Sequence, residues 1–242
     1  MTPAHTRFQM LLSAPIFVLK RKARQLARTG KLPHSAALDR IAVQEGFQNW
    51  SHLAKRDAAT GRAARLLAQL DPGDLVLIGA RPGEGKTVLA LEILAEAAAA
   101  GQGASFLTLE YSGETLRDLL AETGLEGRAI KVDTSDGICA GHIVETHAVA
   151  PKRGVIVIDY LQRLCERRST PDLDSQLATL KTFAKARGQT IICLSQIDRR
   201  FDGAGLGRPG LADVRLADPA DLGIFDRCIF LNAGRISLQA VA

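Results

Sequence analysis

The chain has 242 residues, 46% of them hydrophobic and 5% aromatic, with a formal net charge of +5. That length holds one α/β domain and a small appendage, with a core that Ala, Leu, Ile and Val must build. No apolar run approaches the roughly 20 residues that cross a bilayer, and the apolar stretch at 11–19 contains Pro15 and precedes a basic cluster, the reverse of secretory order. A cytoplasmic protein with no membrane segment is expected. Cys139, Cys165, Cys193 and Cys228 are widely spaced with no Cys-x-x-Cys pair. They read as reduced, mostly buried thiols rather than zinc ligands.

The N-terminal elements read as short helices. Val18–Arg28 is helix-prone and basic, and Gly30 ends it. Pro33-His34-Ser35 opens a second helix, Ala36–Glu45, with Ser35 as N-cap, and Gly46 breaks it. Asn49 caps a third, Trp50–Asp57, with Trp50 expected in the core. Short helices around a glycine turn resemble a helix-turn-helix. Residues 61–70 read as a helical linker. Residues 1–65 carry 12 Lys and Arg against 3 Asp and Glu, a balance of +9, whereas residues 66–242 carry 19 against 23, a balance of −4. The basic excess is therefore wholly N-terminal. Two readings are open: an acidic partner with nucleic acid first, or a solvated helical face. Two domains are expected, a small basic helical segment over 1–65 and a larger domain over 66–242.

From Leu75 the pattern changes. Apolar runs recur at 75–78, 104–109, 129–132, 154–158, 190–194 and 228–231, with helical stretches between several of them. Near-continuous apolar strands alternating with helices predict an α/β fold, a mainly parallel sheet covered on both faces.

The first strand runs into Ala80-Arg81-Pro82-Gly83-Glu84-Gly85-Lys86-Thr87, and a helix begins at about Val88. Strand, Gly-rich turn, Gly-Lys-Thr and helix are the parts of a phosphate-binding loop. Ala80 stands where the strict pattern has Gly. The loop's N–H groups and the helix N-terminus attract phosphate oxygens. Lys86 is expected on the β- and γ-phosphates and Thr87 on Mg²⁺. A surface turn capping a helix is the bland alternative.

Gly154-Val155-Ile156-Val157-Ile158-Asp159 runs as a buried strand into a carboxylate, 72 residues after Thr87. Such a strand delivers Asp159 to the sheet's C-terminal edge as a second Mg²⁺ contact. Glu110 ends the second strand and is the candidate to activate an attacking water. Glu84 is a second possible base, expected to point away from the phosphates. Gln196 ends the strand Ile191-Ile192-Cys193-Leu194-Ser195. It reads either as a γ-phosphate sensor or as a strand-terminal hydrogen-bonding residue.

The segments Ala80–Thr87, Leu109-Glu110-Tyr111-Ser112, Val157-Ile158-Asp159-Tyr160-Leu161-Gln162 and Leu194-Ser195-Gln196 together resemble the RecA-type ATPase domain of the DnaB family of replicative helicases. The resemblance spans about residues 70–235 and makes Ala80 an expected feature. It implies a RecA-like P-loop fold, ATP and Mg²⁺ as cofactors, Glu110, Lys86 and Gln196 as catalytic residues, and Thr87 and Asp159 at the metal. It also implies a hexameric ring around single-stranded DNA. The DNA-contacting loops fall at about 163–173, with Arg163, Arg167 and Arg168, and at about 199–211, with Arg199, Arg200 and Arg208. Three departures accompany it. The family's collar domain is replaced by the basic helical segment, and the chain stops short of the family's last strands. The position of the neighbour-completing arginine falls at Asn232 or Ala233, with Arg235 just beyond. The implied function is an ATP-dependent DNA helicase or translocase. The alternative is a non-unwinding, ATP-dependent DNA-binding regulator or helicase-loading accessory.

Overall fold

The computed structural model describes residues 12–14, 16–54, 61–123, 125, 127–149, 153–164, 170–198, 209–216 and 219–241. The chain divides into two compact units, residues 1–59 with 233–235, and residues 60–232 with 236–242.

In the first unit, α1 (Ile16–Gly30) and α2 (His34–Gln44) are followed by a helical turn at 50–54. Leu19, Ala23, Ala37, Ile41, Ala42, Phe47 and Leu53 form one buried cluster, with Trp50 and Leu26 packed on it. The Asn49 side chain accepts from the His52 N–H at 2.8 Å, the expected cap. α2 begins two residues earlier than expected, because Pro33 (φ −54°, ψ 141°) precedes the first turn; Ser35 lies inside the helix and no side chain caps it.

The second unit is built on a seven-stranded sheet. Its strands are β1 (Leu75–Ala80), β2 (Gly103–Thr108), β3 (Lys131–Asp133), β4 (Gly154–Asp159), β5 (Thr190–Gln196), β6 (Arg227–Asn232) and β7 (Arg235–Ala240), in the spatial order β3-β2-β4-β5-β1-β6-β7. All pairings among β1 to β6 are parallel. The helices are α3 (Arg62–Leu67), α4 (Lys86–Ala99), α5 (Gly113–Thr123), α6 (Ala140–His147) and α7 (Leu173–Arg187).

Strand periodicity of two divides the core into layers. Val76, Ile78, Val155, Val157, Ile192 and Leu194 join Leu89, Ile93 and Leu94 of α4 and Leu116 of α5 on one face. Leu75, Leu77, Ile156, Ile158, Ile191 and Cys193 join Ile143 of α6 and Leu177 and Leu180 of α7 on the other. Each central strand is thus buried on both faces, which is why it reads as an unbroken apolar run.

Two elements depart from expectation. The stretch 61–70 is helical as expected, at Arg62–Leu67, but is no free linker: Ala63, Leu66 and Leu70 are buried in the core, and the Arg62 guanidinium grips the Glu92 carboxylate through two hydrogen bonds of 2.8 Å. β7 had no counterpart in the apolar runs. It follows β6 through Ala233 (φ 48°) and Gly234 (φ 76°), the two left-handed residues of a tight hairpin turn. Only Ile236 and Leu238 pack on the core, so its signal is a weak alternation rather than a run.

Candidate active site

The C-terminal ends of β1, β2, β4 and β5 lie along one edge of the sheet, where ligands of open α/β sheets bind. β1 ends at Ala80 and α4 begins at Lys86, so the intervening loop turns the chain in five residues. Gly83 (φ 83°) and Gly85 (φ 96°) take left-handed conformations that side chains resist. Arg81 and Glu84 form an ion pair of 3.7 Å within this loop. Gly79 has a separate duty: a Cβ there would sit 2.7 Å from the Phe230 ring on neighbouring β6. The Gly-Ala order before Arg81 therefore follows from sheet packing as well as from the loop.

Lys86 and Thr87, in the first turn of α4, are both buried. The Thr87 hydroxyl donates to Asp159 Oδ2 at 3.1 Å. Lys86 Nζ lies 3.9 Å from Asp159 Oδ1 and 3.8 Å from Glu110 Oε2, and 5.8 Å from the centre of the Tyr160 ring. Asp159 is wholly buried, and its Oδ1 makes no hydrogen bond. Burial pushes its carboxyl up to about 6; Lys86 opposes the shift, Glu110 adds to it and the Thr87 hydroxyl opposes it. An ionised carboxylate held this way is short of positive charge. A buried oxygen without a donor beside a threonine hydroxyl is a hard oxygen pair of the kind Mg²⁺ accepts. No group of three or more His, Cys, Asp or Glu side chains with metal-binding proximity occurs among the described residues. A cation here would take two protein oxygens, with phosphate and water oxygens completing its shell.

Glu110 reaches this point through a polar turn. Thr108 pairs with Asp159 across β2 and β4, and the Leu109 N–H donates to the Asp159 carbonyl at 2.9 Å. The Thr108 hydroxyl then accepts from the N–H groups of Glu110 (3.0 Å) and Tyr111 (3.2 Å), bending the chain sharply. Burial raises the Tyr111 phenol above the ordinary tyrosine value, and its hydrogen bond with Thr87 opposes that shift. The sequence reading gave Thr108 and Tyr111 no role of their own. A lone buried Thr closing an apolar strand before Glu110 was the available signal.

Gln196 stands opposite Ala80 in the β1–β5 register, one strand away from Asp159. Its carbonyl accepts from the Arg215 N–H at 2.8 Å. Gln162 Nε2 donates to Ser195 Oγ (2.7 Å) and to the Arg215 carbonyl (2.5 Å), joining the segment after β4 to the one after β5. Arg163 is half-buried at the end of the 3-10 turn Leu161–Arg163. Arg167, Arg168, Arg199, Arg200 and Arg208 lie outside the described residues. Asn232 closes β6 and Ala233 lies in the hairpin turn before Arg235.

Comparison with known proteins is consistent with this arrangement. Residues 62–137 match the family described as DnaB-like helicase C terminal domain. This chain resembles a DnaB-like helicase C-terminal domain. It is 27% identical over 192 residues to the replicative DNA helicase DnaB of Helicobacter pylori (strain J99), covering 63% of this chain and 40% of that protein. It is 26% identical over 182 residues to a probable plasmid replicative DNA helicase of Chlamydia psittaci, covering 60% and 40%. The chain thus spans about two fifths of the length of these relatives. Among solved structures it is similar to one described as an ATPase domain (TM-score 0.56, 21% identity, 67% of this chain and 70% of that one). It is also similar to a DnaB-like replicative helicase studied with primase (TM-score 0.56, 19% identity, 89% and 66%). At those identities the structural likeness is one of fold, the RecA-like parallel sheet flanked by helices.

Proposed function

We propose that this protein is a DnaB-like, Mg²⁺-dependent ATPase that works on single-stranded DNA. The observation that carries this reading is the meeting of Lys86, Thr87, Glu110 and Asp159 at one sheet edge, contributed by three separate strand ends. The loop Ala80–Gly85 and the N-terminus of α4, through Val88, cradle the triphosphate. Lys86 neutralises charge on the β- and γ-phosphates. Mg²⁺, held by Thr87 and Asp159, supplies charge stabilisation on the phosphate oxygens when bound. Glu110, held by the Thr108 turn, orients and deprotonates the attacking water. Gln196 senses the γ-phosphate, and its carbonyl bond to Arg215 together with the Gln162 bridge provides a route to the segments after β4 and β5. The arginines at 163, 167, 168, 199, 200 and 208 are the proposed DNA contacts, acting in a homo-oligomeric ring by resemblance to the family.

A second reading, a non-unwinding ATP-dependent DNA-binding regulator, is favoured by the concentration of positive charge in the first unit. ATPase rate with and without single-stranded DNA, measured beside solution mass and strand displacement, separates the two. The helicase reading expects DNA-stimulated hydrolysis, an oligomer and displacement. A DNA-indifferent monomer that displaces nothing supports the regulator. Glu110→Gln is expected to lower turnover roughly 100-fold or more while ATP still binds; full hydrolysis by that variant removes Glu110 from the chemistry.

A further inference from the structure

The lysine that opens α4 is surrounded but not locked. Lys86 Nζ lies 3.8 Å from Glu110 Oε2 and 3.9 Å from Asp159 Oδ1. Both separations exceed the length of a hydrogen bond. Charge draws the ammonium to this edge of the sheet, and neither carboxylate fixes where it rests. The third neighbour is aromatic. Lys86 Nζ stands over the Tyr160 ring, 5.8 Å from its centre, within the roughly 6 Å over which a ring face attracts a cation. Lys86 is only 8% exposed. Little water competes for its charge, so the ring face counts for more than it would at a surface.

The position of Tyr160 is itself firmly set. It follows the wholly buried Asp159 and precedes the wholly buried Leu161. Its backbone is extended (φ −134°, ψ 162°), and its carbonyl accepts from the Arg163 N–H at 3.1 Å in the 3-10 turn. The half-buried ring packs on the core layer that contains α4, the helix that carries Lys86. The chain has two tyrosines, and each directly follows a carboxylate of the site, as Glu110-Tyr111 and Asp159-Tyr160. Both pack on that layer. An aromatic face suits the ammonium for a chemical reason. Lysine has three N–H donors and no acceptor. A carboxylate at hydrogen-bond distance would take one donor and repel a phosphate placed beside it. A ring face attracts the cation through its quadrupole, carries no net charge and leaves the donors to phosphate oxygens.

We propose that Tyr160 is a positioning residue for Lys86: its ring face holds the ammonium where an incoming triphosphate meets it. This role rests on the reading of Ala80–Thr87 as the ATP phosphate site. It assigns the residue after Asp159 a duty of its own, exerted through Lys86 rather than through the metal.

The test uses the full-length protein and a fluorescent, non-hydrolysable ATP analogue, titrated in EDTA and again in Mg²⁺. Tyr160→Leu is expected to weaken binding roughly 5-fold, by the same factor in both buffers, because the contact is to Lys86 and not to the metal. Tyr160→Phe keeps the ring face and is expected to bind as the parent does. Lys86→Ala alone is expected to weaken binding roughly 10-fold or more. Adding Tyr160→Leu to it should cost nothing further, since the two residues act through one contact. Far-UV circular dichroism checks the fold, and Tyr160→Met replaces the leucine variant if helicity falls. Four results overturn the proposal: parental affinity of the leucine or methionine variant, a loss by Tyr160→Phe as large as that by Tyr160→Leu, a loss seen only with Mg²⁺, or an undiminished effect of Tyr160→Leu in the Lys86→Ala background. Unchanged binding by Lys86→Ala would sink the phosphate-loop reading and this role with it. A loss there with none from Tyr160→Leu sinks this role alone.

Discussion

The two units use charge in opposite ways. In the larger one, Lys86 Nζ lies 3.8 Å from Glu110 and 3.9 Å from Asp159 at a mostly buried edge. In the smaller one, the described carboxylates Asp39 and Glu45 accept hydrogen bonds from the Trp50 and Ser13 N–H groups, and Arg21, Arg24 and Arg28 of α1 are exposed. Opposed charges at a desolvated edge suit chemistry on a small anion, because fields are strong there. Exposed charges in water are screened and each acts nearly alone. The comparison teaches that a net charge of +5 says little until it is resolved by region.

Four changes would break or sharpen that contrast, and the largest concerns the buried edge. Lys86→Ala should reduce ATP hydrolysis on the order of 10³-fold, as loss of a strong transition-state donor does, with no change in the helicity of the first unit; retained turnover in a phosphate-release assay would separate the loop from catalysis. Asp159→Asn should abolish magnesium-dependent turnover yet stabilise the protein when nucleotide and magnesium are left out. The sign follows from the folded carboxyl standing at about 6, above its unfolded value of 3.8. The folded state then holds the extra proton, so this residue's contribution to stability is present below about pH 4 and is lost as pH rises through about 6. Urea denaturation should therefore favour the asparagine variant by about 3 kcal/mol at pH 8 and by little at pH 4.

A third change tests the packing behind the loop. Gly79→Ala places a methyl group 2.7 Å from the Phe230 ring and should cost about 1–3 kcal/mol, with Phe230→Leu restoring part of it in the same denaturation measurement. The smallest belongs to the helical unit. Asn49→Ala removes the acceptor for the His52 N–H and should cost about 1 kcal/mol of thermal stability in that unit while ATPase activity stays unchanged.

Much of the larger unit was legible from residue order alone. The six apolar runs became β1 to β6: the central strands read as unbroken runs because both their faces are buried, whereas the exposed edge strand β3 keeps only part of its run. The loop 80–87 was legible because left-handed turns call for glycine at Gly83 and Gly85. β7 escaped because only Ile236 and Leu238 on it meet the core. The docking of 61–70 escaped for a related reason: six helical residues with a modest apolar face look the same whether they span two domains or lie on one. Within the site, Tyr111 was missed because its partner Thr87 is distant in the chain, and Thr108 because a strand-ending Thr turns on the two N–H groups after it only once the chain has bent there.

By itself, the sequence determined the parallel α/β class, the Gly-rich loop between β1 and α4, the positions of Glu110, Asp159 and Gln196 at or just past strand ends, and the N-terminal concentration of basic charge. Each follows from local rules: residue order, strand periodicity and the conformational demands of turns. Only the tertiary structure decided that Asp159 is wholly buried with one oxygen lacking a hydrogen-bond donor, that Thr108 bends the chain so that Glu110 meets Lys86, that Phe230 demands Gly79, and that Asp39 and Glu45 accept hydrogen bonds from Trp50 and Ser13. Those facts depend on desolvation and on contacts between residues distant in sequence, and neither quantity exists until the chain has folded.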